Sequence, residues 1–138
     1  MGRILAFDYG TKRVGIATTD PLKIICTPLE TIHSKDIIDY IKNYLTKEDV
    51  EAFVIGMPVN LDGNETNNTQ HVRGFVNTLK KTFPAMPLHL EDERYTSKMA
   101  LDAMIAGGTS KAYRKKKENI DKTSAVIILQ SYLEKNTL

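Results

Sequence analysis

Acidic residues follow two apolar runs of this sequence, and another acidic residue opens its last helix-forming segment. Asp8 comes directly after the run Ile4–Phe7, and Glu91-Asp92-Glu93 come directly after Pro87–Leu90. Asp121 precedes apolar residues that recur at helical spacing. Carboxylate oxygens that meet at one edge of a sheet can share a cation such as Mg²⁺ or Mn²⁺. The chemistry that this set favours is metal-assisted hydrolysis of a nucleic-acid backbone.

Each of these acidic residues also has an ordinary structural interpretation. Asp8 is the type of residue that often forms a turn after a strand. Glu91 to Glu93 are typical of a solvated loop, and Asp121 could cap the final helix or favour its dipole. Their shared placement at one sheet end favours the metal-site hypothesis. The residues alone leave open which of the three consecutive acids binds the metal.

The elements that must position these residues are predicted from hydrophobic periodicity. Short apolar runs predict strands, of which Ile4–Phe7 and Val14–Thr18 form a hairpin, and Ile24–Ile32, interrupted by Pro28, is an edge strand. The order of elements predicts an α/β fold with a mixed sheet and helices on both faces. The remaining predicted elements are a helix over 35–47 with Ser34 as its N-cap, a strand over 53–56, a polar loop over 60–70, a helix over 72–83, a strand over 87–90, a helix after Thr96, a basic loop over 107–119 and a final helix from about residue 120.

Length and composition limit the classes of protein that this chain can be. Its 138 residues suit one domain that spans 1–138. The 19 Lys and Arg residues against 17 Asp and Glu give a net charge of +2, which excludes nucleic-acid binding by bulk charge alone. The single cysteine, Cys26, excludes a disulfide framework. No apolar stretch is long enough for a membrane helix, and we expect a cytoplasmic protein with no membrane partner.

Four motifs, in order along nearly the whole chain, resemble those of the YqgF/RuvX family. This family comprises Holliday-junction-resolvase-like proteins that are also described as pre-16S rRNA nucleases. The motifs are DYGTKRVGIA at 8–17, GMP at 56–58 with Asp62-Gly63 downstream, DERYTS at 92–97 and DKTSAVIILQ at 121–130.

The resemblance implies an RNase H-like fold with a mixed five-stranded sheet and helices on both faces. It also implies that Asp8, Glu93 and Asp121 are the catalytic, metal-binding residues, with Asp92 as an additional metal ligand and Mg²⁺ or Mn²⁺ as the cofactor. The implied activity is phosphodiester hydrolysis in structured nucleic acid, with processing of the 5′ end of pre-16S rRNA as the first expectation. Resolution of Holliday junctions in branched DNA is the alternative.

Basic residues lie beside the acidic ones in the sequence and are candidates for contact with nucleic acid. Phosphate contacts from such residues hold a nucleic acid in register. A charged hairpin turn, a structural ion pair and a solvated loop are their alternative interpretations. Tyr113 lies within the longest basic run, where it could stack on a base. The candidates are Lys12, Arg13, Arg94, Lys111, Tyr113, Arg114, Lys115, Lys116 and Lys117.

Two other classes of function compete with a nuclease. The segment from Asp8 to Thr11 also resembles the first phosphate loop of actin-like and Hsp70-like ATPases, but those proteins need two related domains. The other alternative is a non-catalytic RNA-binding module, and the presence of all three acidic positions argues against it. Expected partners are pre-rRNA or branched DNA, and ribosomal precursor particles. The sequence leaves a monomer and a homodimer both open.

Overall fold

The computed structural model describes residues 2–57, 67–92 and 117–136. The elements lie close to where the apolar runs and the helical periodicity of the sequence predict them. They are β1 (Arg3–Tyr9), β2 (Arg13–Thr19), β3 (Cys26–His33), a 3₁₀ turn (Ser34–Asp36), α1 (Ile37–Lys47), β4 (Val50–Met57), α2 (Asn67–Thr82), β5 (Leu88–Asp92) and α3 (Lys117–Asn136).

The five strands form one mixed sheet in the order β3-β2-β1-β4-β5. β1 and β2 form the predicted antiparallel hairpin, and β3 pairs with β2 as the predicted edge strand. β4 is parallel to β1, and β5 is parallel to β4. The carboxyl ends of β1, β4 and β5 therefore lie side by side at one edge of the sheet.

Each face of the sheet carries its own apolar core, because successive side chains of a strand point to opposite faces. On one face Leu5 and Phe7 pack with residues of α1 and α2. On the other face Ile4 and Ala6 pack against α3. This confirms the prediction of a mixed five-stranded sheet with helices on both faces.

The turn between β2 and β3 explains why the third strand begins later than predicted. The Asp20 carboxylate accepts hydrogen bonds from the backbone N–H groups of Leu22, Ile24 and Ile25. Lys23 takes a positive φ of 60° in the same turn. Because these bonds fix the backbone as a turn, Ile24 and Ile25 lie outside the strand, with 71% and 62% of their surface exposed.

Three local predictions need correction. Ser34 does not cap α1, because it is the first residue of the 3₁₀ turn and Asp36 stands at the N-cap of α1. The 3₁₀ turn is capped by His33, whose Nδ1 accepts from the Lys35 N–H. The helix α2 begins inside the predicted polar loop, at Asn67. Likewise α3 begins at Lys117, inside the predicted basic loop. The helix predicted after Thr96 lies outside the described residues.

Within the described part of the chain, no helix is long and apolar enough to cross a membrane.

Candidate active site

At the carboxyl ends of the parallel strands, Asp8 and the acidic end of β5 lie at the same height along the sheet. Phe7 of β1 pairs with Ile55 of β4, so Asp8 stands level with Gly56. Gly56 in turn pairs with Glu91 of β5. Neighbouring strands are about 4.8 Å apart, so the backbones of β1 and β5 are separated by about 10 Å here. The edge therefore aligns Asp8 with the acidic end of β5.

Asp8 belongs to the face of the sheet that α3 covers. It follows Ile4 and Ala6 in the alternation of β1, and both of these residues pack against α3. Asp8 itself is only partly buried. Gly56, level with it on β4, has no side chain to fill the space between β1 and β5. Asp8 therefore lies at the carboxyl end of β1, on the face of the sheet that α3 covers.

Glu91 has a structural role that its sequence context does not reveal. Its carboxylate is buried, with 4% of the residue exposed. Its Oε1 accepts a hydrogen bond from the Ser131 hydroxyl at 3.0 Å and forms an ion pair with Lys135 Nζ. Both partners lie on α3. This carboxylate is therefore already bound by two side chains of α3.

The final helix crosses the sheet from β5 toward the hairpin. Its C-terminal part lies at β5, through Ser131 and Lys135, and the helix also packs on β1, β2 and β3. Asp121 precedes Ser131 by ten residues, or about 15 Å along a helix axis. This displacement carries Asp121 away from β5 toward the strands of the hairpin. Since α3 begins at Lys117, Asp121 is in its second turn and is not a capping residue.

One buried hydroxyl of α3 has no hydrogen-bond partner among the residues that the structure describes. Ser124, three residues after Asp121, is fully buried, and its Oγ makes no hydrogen bond within the described structure. A buried hydroxyl without a partner costs free energy unless another ligand satisfies it. The Ser124 hydroxyl and the Asp8 carboxylate are both oxygen donors. That chemistry suits Mg²⁺ or Mn²⁺.

The turn between β1 and β2 holds the first two predicted phosphate contacts. Gly10 N–H donates to the Arg13 carbonyl oxygen at 2.8 Å and closes the turn. Lys12 is exposed, and its carbonyl oxygen accepts from the Ser34 N–H at 3.1 Å. The turn is therefore tied to the start of α1, directly beside Asp8.

Seven of the predicted site residues lie outside the part of the chain that the structure describes. Among residues 2–57, 67–92 and 117–136, no three His, Cys, Asp or Glu side chains form a group that could hold a metal. Lys117 is described only as the first residue of α3. The predicted residues that lie outside the described ranges are Glu93, Arg94, Lys111, Tyr113, Arg114, Lys115 and Lys116.

The sequence as a whole matches a known family. A family model described as RuvX, Holliday junction resolvase, covers residues 2–135. The chain belongs to the RuvX family. Membership makes it a nuclease, a hydrolase of phosphodiester bonds.

Relatives of RuvX type cover almost the full length of this chain. A protein of Amoebophilus asiaticus named "Putative pre-16S rRNA nuclease" is 47% identical over 133 residues, 96% of this chain and 94% of the relative. A protein of Porphyromonas gingivalis with the same name is 45% identical over 134 residues, 97% of each chain. The predicted family is thus confirmed.

Solved structures resemble this RuvX protein in fold. A crystal structure of Fowlpox virus resolvase with Holliday junction DNA matches with a TM-score of 0.63 at 13% identity, over 99% of both chains. The RuvC protein of T. thermophilus, in complex with a Holliday junction substrate, matches with a TM-score of 0.56 at 14% identity, over 99% of this chain and 97% of RuvC. These matches confirm the RNase H-like fold.

Sequence reasoning missed the partners of Glu91 and the orphaned Ser124 of this RuvX protein. Ser131 and Lys135 are spaced four apart, so they lie on one side of α3. This spacing indicates that both side chains can bind one group of another element. Which strand supplies the partner depends on how the helix crosses the sheet, and periodicity does not contain that information.

Proposed function

We propose that this chain is a metal-dependent nuclease that processes the 5′ end of pre-16S rRNA. The observation that supports this most is the level alignment of Asp8 with the acidic end of β5, on the sheet face that α3 covers. Relatives that share almost the full length carry the corresponding name. We further propose that residues 1–138 act as one nuclease domain in the cytoplasm, on RNA of ribosomal precursor particles.

In this proposal Asp8, Glu93 and Asp121 hold Mg²⁺ or Mn²⁺, with Asp92 as an additional ligand. A bound cation of this kind supplies activation of a water molecule and stabilisation of the leaving oxygen. The rigid strand β1 fixes the Asp8 carboxylate before substrate arrives, which is what a catalytic group requires.

The basic residues position the phosphate backbone around this edge. Lys12 and Arg13 lie at the closed turn beside Asp8, where they contact the phosphates next to the cleaved bond. Arg94 acts near Glu93 in the same way. The segment Lys111–Lys117 binds the nucleic-acid strand farther from the cleaved bond, and Tyr113 stacks on one of its bases.

Resolution of a Holliday junction is the second candidate. It is supported by the description of the matching family model. A four-way junction has two-fold symmetry, so this activity would favour a homodimer, whereas trimming of an rRNA end needs only a monomer.

The experiment compares both substrates under identical conditions. The purified full-length chain is incubated with a 5′-extended pre-16S RNA fragment and, separately, with a four-way DNA junction, in Mg²⁺ and then in EDTA. We expect cleavage of the RNA in Mg²⁺ alone. Preferential cleavage of the junction would assign the chain to the second candidate.

Two matched variants test the role of Asp8. Asp8→Asn should lose cleavage by at least about a hundredfold, because the change removes an anionic ligand at the centre of the site. Asp39→Asn makes the same chemical change at an exposed position of α1 and should cleave like the parent chain. Cleavage that survives both Asp8→Asn and EDTA would refute the metal-dependent mechanism.

A further inference from the structure

A cavity opens at the carboxyl end of β1, on the face of the sheet opposite to α3. Its volume is about 390 Å³, which lies within the range of small-molecule sites. Tyr9 and Phe75 line it from the sheet and from α2. Tyr9 follows Asp8 directly, so the cavity and the candidate active site share the same strand end.

The lining of the cavity includes a pair of stacked aromatic rings. The rings of Tyr9 and Phe75 are 4.4 Å apart between centroids, with 14° between their planes. Phe75 is buried at 5% exposure, whereas Tyr9 is partly exposed. An aromatic pair with one accessible member is the kind of platform on which a planar, unsaturated ring stacks.

The opposite side of the cavity is polar and open. Ser34, Gln70 and His71 contribute side chains that can hydrogen-bond the edge of a heterocycle. Gly74 of α2 completes the wall, and a Cβ at this position would meet nothing within 4 Å. The first turn of α2 holds no acidic residue that would repel a polyanion.

We propose that this cavity binds one unstacked nucleobase of the substrate strand, beside the nucleotide whose phosphate lies at Asp8. The inference rests on the proposed function, because it takes the substrate to be a nucleic acid. Single-stranded nucleic acid is bound by stacking of splayed bases on aromatic side chains and by hydrogen bonds to base edges. The Ser34 hydroxyl and N–H also fix the Thr11–Lys12 turn, so the base site is tied to the predicted phosphate contacts.

The first test fills the cavity without disturbing the helix. Gly74→Leu places a side chain into the open wall, and leucine is a better helix former than glycine. Asn77→Leu puts the same side chain on an exposed position of α2 outside the cavity. Binding of the 5′-extended pre-16S RNA fragment is measured by fluorescence anisotropy in EDTA, so that cleavage does not contribute. We expect Gly74→Leu to weaken binding by about 5-fold to 150-fold, and Asn77→Leu to leave it unchanged.

The second test removes the base and keeps the parent protein. A series of the same RNA carries one abasic nucleotide at successive positions around the cleavage site. We expect one position to weaken binding to the parent chain by a similar factor, and to cause no further loss in Gly74→Leu. Equal binding of every abasic RNA by the parent chain would overturn the base site. Base-dependent binding without cleavage of the pre-16S RNA fragment would overturn the proposed rRNA processing and leave the base site in place.

Discussion

The ion pair between Glu91 and Lys135 leads to an asymmetric prediction about stability. The Glu91 side chain is 5% exposed, whereas the Lys135 side chain is 61% exposed. Removal of the lysine leaves a buried carboxylate that still accepts the hydrogen bond of the Ser131 hydroxyl. Removal of the carboxylate charge leaves a lysine that can return to water. Loss of the Lys135 ammonium group should therefore lower the free energy of unfolding more than loss of the Glu91 charge does.

The magnitude follows from what each change leaves behind. In Lys135→Met, an ionised group stays buried with one charged partner fewer, which costs about 1–3 kcal/mol. In Glu91→Gln, the amide oxygen still accepts the Ser131 bond and the lysine becomes an exposed cation. We expect that cost to be about 1 kcal/mol or less, because no buried charge is left behind and the lysine side chain is already 61% exposed. The double variant should be more stable than the sum of both losses predicts.

Urea unfolding followed by far-UV circular dichroism measures these differences, since the chain has no tryptophan for fluorescence. Lys80→Met is the control, because Lys80 is exposed in the last turn of α2 just as Lys135 is in the last turn of α3. It removes a favourable interaction with a helix dipole without touching Glu91. If Lys135→Met is no less stable than Lys80→Met, or if Glu91→Gln costs more than Lys135→Met, the reasoning is refuted.

Three further outcomes can be checked on the same protein. The backbone N–H of Ile25, with further hydrogen bonds in the same turn, holds the pKa of Asp20 below its ordinary value of 3.8. The ionised carboxylate therefore stabilises the fold above that pH. As the pH falls below about 4, the parent chain should lose stability more steeply than Asp20→Asn does. Gly10→Ala would place Cβ 2.9 Å from the Arg13 carbonyl oxygen, so thermal melts should show a loss of about 1–3 kcal/mol, and an unchanged melting temperature would contradict the close contact. Replacement of 115–117 by alanines should flatten the dependence of RNA affinity on salt by about 0.7–0.9 per lost phosphate contact, and an unchanged slope would exclude those lysines from the interface.

Much of the fold could be predicted because its signals are local. The continuous apolar run Ile4–Phe7 reflects burial of β1 on both faces of the sheet. The helical spacing of Ile37, Ile41 and Leu45 reflects burial of one face of α1. The start of α3 is harder to predict from the sequence, because Lys117 to Asn119 belong to a polar run that is equally compatible with a loop. Helix propensity alone is a weak guide in such a run, and the packing of Ala125 and Ile128 decides where the helix continues.

The candidate site was predicted only as a set of residue types. The sequence places Asp8 after a strand and three acids after another, and the strand register adds that these ends are level. Ser34 illustrates the limit, since this type of capping residue lies inside a 3₁₀ turn and donates to Thr11, 23 positions away. The short 3₁₀ turn before α1, with His33 at its N-cap, has no signal in the local pattern of residue types.

The sequence by itself determined the family, the strand and helix order, and the acidic residues that form the candidate metal site. These follow from residue types, short-range periodicity and motifs that are contiguous in the chain. Only the tertiary structure decided that Glu91 is bound to Lys135, and that Tyr9 stacks on Phe75 beside a cavity. Both contacts join residues far apart in sequence, and their formation depends on how α2 and α3 cross the sheet. Side-chain spacing within one element fixes its buried face, but not the partner that covers that face.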